Sequence, residues 1–295
     1  RAPPPRSNER MSASSGARRA SVATLQGFRD AGERFTVITA YDRATTELAE
    51  AAEIPAILVG DSLAQVALGH ESTVRVGMDE MLHHVGAVVR SSRSALVIAD
   101  MPFLSYVDVP TAAANAGAFV RDAGAGAVKL EGGEEAAPIV RALVESGVPV
   151  VGHIGFTPQS SLHSGRARAE GKDPAAAAAL LADAAALQAA GAAAIVIELV
   201  PSELAALITA RLRIPTIGIG AGPHCSGQVQ VAPDLLGLLS GPAPRHAGAY
   251  ATLRDVAVAG LARWRADVAS GSFPGSAQSI AAGDELRHAI AQMER

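Results

Sequence analysis

Residues 127–153, AVKLEGGEEAAPIVRALVESGVPVVGH, hold one full unit of the fold: an apolar run, a helical pattern and a second apolar run. AVKLEG (127–132) and VPVVGH (148–153) are too apolar for an open antiparallel strand and suit strands buried on both faces. Between them, residues 134–146 carry helical spacing and stop at Gly147, a residue suited to the left-handed turn that ends a helix. The same unit recurs outward in both directions. Strand-like runs are FTVITAYD (35–42), AILVGD (56–61), ALVIAD (95–100), AAIVIE (193–198) and PTIGIG (215–220). Helical patterns cover 43–53, 78–92, 111–123, 176–190 and 202–212, with Thr111 and Ser202 as expected capping residues. QVQVA (228–232), or the run LLGLL after Asp234, supplies the eighth strand. This alternation selects an α/β fold, a (β/α)8 TIM barrel, over a doubly wound sheet. The barrel is expected over 22–275, after a disordered tail at 1–21 and before an extension at 276–295. An amphipathic helix is expected at 249–270.

Polar residues stand at the ends of these apolar runs. In a parallel barrel all strand ends of one polarity meet at one mouth, so residues far apart in sequence converge there. Asp61 and Asp100 end the second and third runs, Lys129 and Glu131 the fourth, His153 the fifth and Glu198 the sixth. Either aspartate alone is as readily a cap of the following turn. Together, with Glu131 on the next strand, they form a set of hard oxygen donors that suits Mg²⁺ better than Zn²⁺. Lys129 and Glu131 are two apart, so strand alternation puts both on one face, as an ion pair or as a grip on an anionic substrate. His153 either satisfies a backbone carbonyl or joins Lys129 at the mouth. Glu198 sits in very apolar company, where desolvation favours a general base; the alternative is a cap on the next helix. The glycines of GIGAG (218–222) are read as meeting backbone needs rather than as a phosphate cradle. His83 and His84 are read as surface or packing residues, and Cys225 is given no role. The loop 157–174 is long enough for a substrate-binding segment.

The chain has 25 basic and 29 acidic residues, a balance that argues against nucleic acid as a partner. No apolar stretch approaches the ~20 residues that span a bilayer, so no membrane partner is expected. A single cysteine excludes an internal disulfide and fits a cytoplasmic protein.

Eight ordered motifs carry a family resemblance: ITAYD (38–42), LVGDSL (58–63), GHEST (69–73), ADMPF (99–103), KLEGG (129–133), GHIGFTPQS (152–160), ELVP (198–201) and IGIGAG (217–222). From about Ala23 to Gly275 the chain resembles the ketopantoate hydroxymethyltransferases. The resemblance implies a barrel of the phosphoenolpyruvate/pyruvate type and a Mg²⁺-dependent transferase of pantothenate synthesis. Such an enzyme moves a one-carbon unit from 5,10-methylenetetrahydrofolate to the ketoacid 3-methyl-2-oxobutanoate. It further implies Asp61, Asp100 and Glu131 as the metal site and Asp61, Ser62, Asp100 and Lys129 as ketoacid contacts. Glu198 becomes the proton acceptor, with Lys129 and His153 as further catalytic groups. A homodecamer of two five-membered rings is also implied. The chain departs from the family pattern at 164–174, Ala64, Pro233 and 244–250, none of which is a metal or base position.

Overall fold

The computed structural model of the chain describes residues 19–160, 169–241 and 243–294. The elements run α1 (Val22–Asp30), β1 (Phe35–Thr39), α2 (Arg43–Ala51), β2 (Ala56–Val59), α3 (Leu63–Val66), α4 (Met78–Ser91) and β3 (Leu96–Asp100). They continue as α5 (Val109–Gly117), β4 (Ala127–Glu131), α6 (Ala137–Glu145), β5 (Val150–Gly155), α7 (Pro174–Ala189), β6 (Ala194–Glu198), α8 (Ser202–Arg211), β7 (Thr216–Ile219) and β8 (Gly227–Gln230). α9 (Ala232–Leu235), α10 (Leu253–Ser270) and α11 (Asp284–Met293) follow. β1 to β8 pair in sequence order, all parallel, and β8 closes the barrel on β1.

Of the two candidates for the eighth strand, the first is the one used. Gly227 pairs with Phe35, and a Cβ on Gly227 would lie 2.5 Å from the Phe35 ring, so glycine permits the closure.

Alternation along each strand separates two apolar layers. Val37, Leu58, Leu96, Ile98, Ala127, Val151, Ala194, Val196 and Val229 fill the barrel interior. Ile57, Val97, Val128, Leu130, Ile195 and Ile197 point outward and pack with Met81, Val85, Phe119, Val140 and Leu187 of the helices. Counting by twos along the interior face leads to the chemistry. Leu96 and Ile98 are followed by Asp100, Ala127 by Lys129 and Glu131, Val151 by His153, and Ala194 and Val196 by Glu198. A (β/α)8 barrel thus delivers its last inward positions to one mouth.

Several local expectations need correction. Thr111 does not cap α5: the Asp108 carboxylate does, accepting from Thr111 N at 2.8 Å. The capping position of α8 is held by Pro201, and Ser202 is the first helical residue. At the end of the expected tail, Ala20 N donates to Ser94 O at 2.7 Å and the Arg19 guanidinium to Ser92 O. Residues 1–18 lie outside the described residues, as do residues 161–168 of the long loop after β5. Of that loop, Pro158–Ser160 forms a 3-10 turn, and Asp173 caps α7 by accepting from Ala175 N and Ala176 N.

Contacts divide the chain into two compact units, one up to Ala232 with Pro244–Ala247, the other Pro233–Ala243 with Gly248–Arg295. In the second unit α10 is helical as expected, yet none of its residues is buried, and Leu261 and Trp264 are exposed. Among the described residues, no helix is long and apolar enough to cross a membrane.

Candidate active site

The mouth is built from buried charge. Asp61, Asp100, Lys129, Glu131 and His153 are each at most 5% exposed. Lys129 Nζ donates to Asp100 Oδ1 at 2.7 Å, and Asp61 N donates to Asp100 Oδ2 at 3.1 Å. Neither aspartate caps a helix: Asp100 is used by Lys129 and by the backbone of Asp61, while Asp61 Oδ2 accepts from Gln159 Nε2 at 3.1 Å. Burial and the facing Asp100 push the Asp61 carboxyl up to about 7, against the pull of Lys129. Burial also raises Asp100, although Lys129 opposes it. Burial disfavours charge on Lys129, but Asp100, Glu131 and Asp61 outweigh it and hold the ammonium well above the usual lysine range. Two carboxylates pressed together out of water favour either a shared proton or a cation between them.

His153 lies between two further carboxylates. Its Nδ1 is 3.5 Å from Glu131 Oε1 and its Nε2 is 3.3 Å from Glu198 Oε2. These are ion-pair contacts rather than well-formed hydrogen bonds, since both ring nitrogens and Glu131 Oε1 lack a partner of proper geometry. Burial and Lys129 press the imidazole toward neutrality. The two carboxylates prevail and bring it up to about 9, so His153 is cationic at neutral pH. Burial likewise opposes the charge on Glu131, but His153, Lys129 and the Gln159 backbone N–H hold that carboxyl below its ordinary range.

Glu198 is less enclosed than the other charged groups of the mouth. Its side chain keeps 16% of its exposure, because β6 ends there, at the rim of the mouth. It does not cap α8 either, so the helix-cap alternative fails.

Ser62 closes the other side, its Oγ 2.8 Å from Tyr41 Oη. A cavity of about 110 Å³ is lined by Asp61, Ser62, Asp100, Lys129, Glu131, His153 and Glu198, which brings every expected site residue together. A larger cavity of about 320 Å³ lies along Gly155–Thr157 and α7, and none of these charged residues lines it. The smaller one is the chemical site, because the convergent polar groups are there. Glycines of the seventh loop serve the backbone as expected: Gly222 has φ +76°, and a Cβ there would collide with Ser202. His84 Nδ1 contacts Tyr41 O at 2.6 Å, a packing role, and Cys225 is buried and unpaired with any sulfur.

Two site residues escaped the sequence reading. Gln159 is 3% exposed and reaches Asp61, Glu131 and Met101, and Tyr106 Oη donates to Gln159 Oε1 at 2.6 Å. Both lie on connections rather than strand ends, so the search along strand ends passed them by. The signal available was a glutamine directly after Pro158, six residues past His153, within a motif already singled out.

The chain matches the family model described as ketopantoate hydroxymethyltransferase over residues 19–276. A 3-methyl-2-oxobutanoate hydroxymethyltransferase of Chloroflexus aurantiacus is 54% identical over 261 residues, covering 88% of this chain and 92% of that protein. One from Moorella thermoacetica is 51% identical, covering 89% and 98%. Among solved structures, phosphonopyruvate hydrolase in complex with oxalate and Mg²⁺ superposes with a TM-score of 0.58 at 14% identity, covering 93% and 96%. 2,3-Dimethylmalate lyase, of the PEP mutase/isocitrate lyase superfamily, superposes with 0.56 at 16% identity, covering 93% and 95%. At such identities the likeness is one of fold.

Proposed function

Because the chain belongs to the ketopantoate hydroxymethyltransferase family, we propose that it transfers a one-carbon unit from 5,10-methylenetetrahydrofolate to 3-methyl-2-oxobutanoate. With one water consumed, the products are 2-dehydropantoate and tetrahydrofolate, a step of pantothenate biosynthesis. The observation that carries this reading is the set of groups on the last inward positions of β3 to β6. A cation grip, a buried ammonium and a rim carboxylate face one small cavity.

A divalent cation fits the residues present. Asp61 and Asp100 offer hard oxygens whose mutual repulsion is offset in part by the buried Lys129 ammonium and the Gln159 amide. Among the described residues, no three of His, Cys, Asp and Glu are set closely enough to hold a metal by themselves. Asp61 and Asp100 would hold the cation, with hard oxygen donors of the kind Mg²⁺ takes. Glu131, which accepts from Gln159 N and faces His153, would complete the acidic set of the metal site. When bound, Mg²⁺ supplies Lewis acidity that stabilises negative charge on the ketoacid oxygens.

The chain's own residues do the rest. Glu198, at the rim, takes the proton from C3 of the ketoacid and opens the way to attack on the folate methylene. His153, held between Glu131 and Glu198, fixes the direction of that carboxylate. The Lys129 ammonium, pinned by Asp100, faces the negative charge that develops as the proton leaves. Ser62, held by Tyr41, orients the ketoacid beside Asp61 and Asp100. A cytoplasmic homodecamer belongs to the same reading.

The test is a direct assay of the purified protein with 3-methyl-2-oxobutanoate, 5,10-methylenetetrahydrofolate and Mg²⁺. 2-Dehydropantoate should form only when all three are present. Product formation undiminished in EDTA would remove the metal from the reading, and none under any condition would remove the activity.

A further inference from the structure

Gln159 joins two carboxylates of the mouth, Asp61 through its side-chain amide and Glu131 through its backbone N–H. It belongs to the 3-10 turn Pro158–Ser160 after β5, yet it reaches groups from the ends of β2, β3 and β4. Its backbone N donates to Glu131 Oε2 at 3.1 Å. Its Nε2 donates twice, to Asp61 Oδ2 at 3.1 Å and to Met101 O at 2.9 Å. Its Oε1 accepts from Tyr106 Oη at 2.6 Å.

The direction of the amide follows from these partners. A carboxylate and a carbonyl can only accept, so the NH₂ must face them, and the remaining oxygen must then meet a donor. Tyr106 is that donor. Burial, with Glu131 and Asp100 nearby, pushes its phenol well above the usual range, so the hydroxyl keeps its proton. A flipped amide would set its oxygen against Asp61 and the Met101 carbonyl, losing two bonds in a buried site.

We propose that the Gln159 amide, oriented by Tyr106, is a positioning group that sets the Asp61 carboxylate for the divalent cation. The inference rests on the metal-dependent reading above. Groups of this kind, which touch a ligand and not the metal, typically account for about 10–100-fold in metal affinity.

The experiment is Mg²⁺ titration by calorimetry on the full-length, metal-stripped protein, alone and with 3-methyl-2-oxobutanoate present, with thermal unfolding recorded in parallel. Gln159→Met keeps length and packing but cannot donate. It should bind Mg²⁺ about 10–100-fold more weakly, with an unfolding midpoint close to wild type. Tyr106→Phe removes only the orienting hydroxyl and should weaken binding by about 2–10-fold, the worth of one hydrogen bond. In the double variant the tyrosine change should cost nothing further, because its hydroxyl acts through Gln159. Affinity within twofold of wild type in Gln159→Met, or a Tyr106→Phe loss that persists in full in the double variant, would overturn the proposal. If Gln159→Met does not fold, Tyr106→Phe decides alone, and unchanged affinity in it overturns the inference. Should the wild-type protein take up no Mg²⁺ either alone or with 3-methyl-2-oxobutanoate present, the metal reading fails and this inference falls with it. Uptake by wild type and Gln159→Met alike sinks only the role of Gln159.

Discussion

The barrel carries buried or half-buried carboxylates at both ends, and the two ends treat them in opposite ways. Glu50, at the end of α2, sits on the floor beside the entry to β3. It accepts from Ser92 Oγ at 2.7 Å, Arg93 N at 2.9 Å, Ser94 N at 3.1 Å, Ser94 Oγ at 2.6 Å and Ala95 N at 3.0 Å. Burial works against its charge, but the donors of Ser94, Ala95 and Ser92 win and hold the carboxyl down to about 2. Asp61, at the mouth, is buried beside a like charge, and burial first, then Asp100, pushes it up to about 7. The same functional group is satisfied on the floor and frustrated at the mouth. A floor carboxylate ties an inter-element loop to a helix end and serves stability. A mouth carboxylate is kept ionisable for a ligand, at a cost in stability that the packed scaffold carries.

The widest separation between the two ends should come from Asp61→Asn. We expect it to abolish Mg²⁺-dependent binding of 3-methyl-2-oxobutanoate in calorimetry. In metal-stripped protein at pH 8 its unfolding midpoint should match or exceed that of wild type. The sign follows from the raised carboxyl: folding favours the protonated form. Stability therefore falls as pH rises from about 4 to about 7, and the whole penalty remains above that. Asparagine removes it. An Asp61→Asn protein that melts several degrees lower at pH 8 while retaining ketoacid binding would assign Asp61 to structure.

A smaller and opposite effect is expected at the floor. Glu50→Gln should leave kcat/KM within about twofold of wild type while lowering the unfolding midpoint. A hydrogen bond to a charged group contributes about 1.5–3 kcal/mol, and each 1 kcal/mol moves the midpoint of a chain this size by about 2–4 °C. Here the folded carboxyl lies below its ordinary 4.5, so its contribution is present above that pH and fades as pH falls toward about 2. The gap between variant and wild type should close over that window in a pH series of melts. A pH-independent gap would locate the loss in packing and not in the charge.

The two ends were also unequally legible. The mouth announces itself because strand alternation is strict: an apolar run read by twos arrives at Asp100, at Lys129 and Glu131, at His153 and at Glu198 without any knowledge of tertiary contacts. Barrel closure was legible for the same reason, up to β8, whose GQVQ is half polar and whose identity depends on the contact of Gly227 with Phe35. Glu50 could not be found that way. It is an ordinary helix-end glutamate until the turn 92–95 folds over it from more than forty residues away. Gln159 and Tyr106 were hidden for a like reason, since a loop residue acquires its partners only from tertiary structure. The cap of α5 was misplaced by three residues because Asp108 and Thr111 are both good capping types, and only the Asp108 carboxylate facing Thr111 N separates them. α10 has good helical spacing, but spacing does not tell whether a face is covered, and none of its residues is buried.

The central claim is that the mouth removes a proton from the ketoacid and that Glu198 receives it. It is tested most directly by incubating the protein with 3-methyl-2-oxobutanoate and Mg²⁺ in deuterium oxide, without folate, and following deuterium at C3 by NMR. Wild type should exchange that hydrogen. Glu198→Gln, which keeps shape but cannot accept the proton, should exchange about 10²–10⁴-fold more slowly with unchanged melting. Exchange at the wild-type rate in Glu198→Gln would contradict the claim and leave the base to be sought elsewhere.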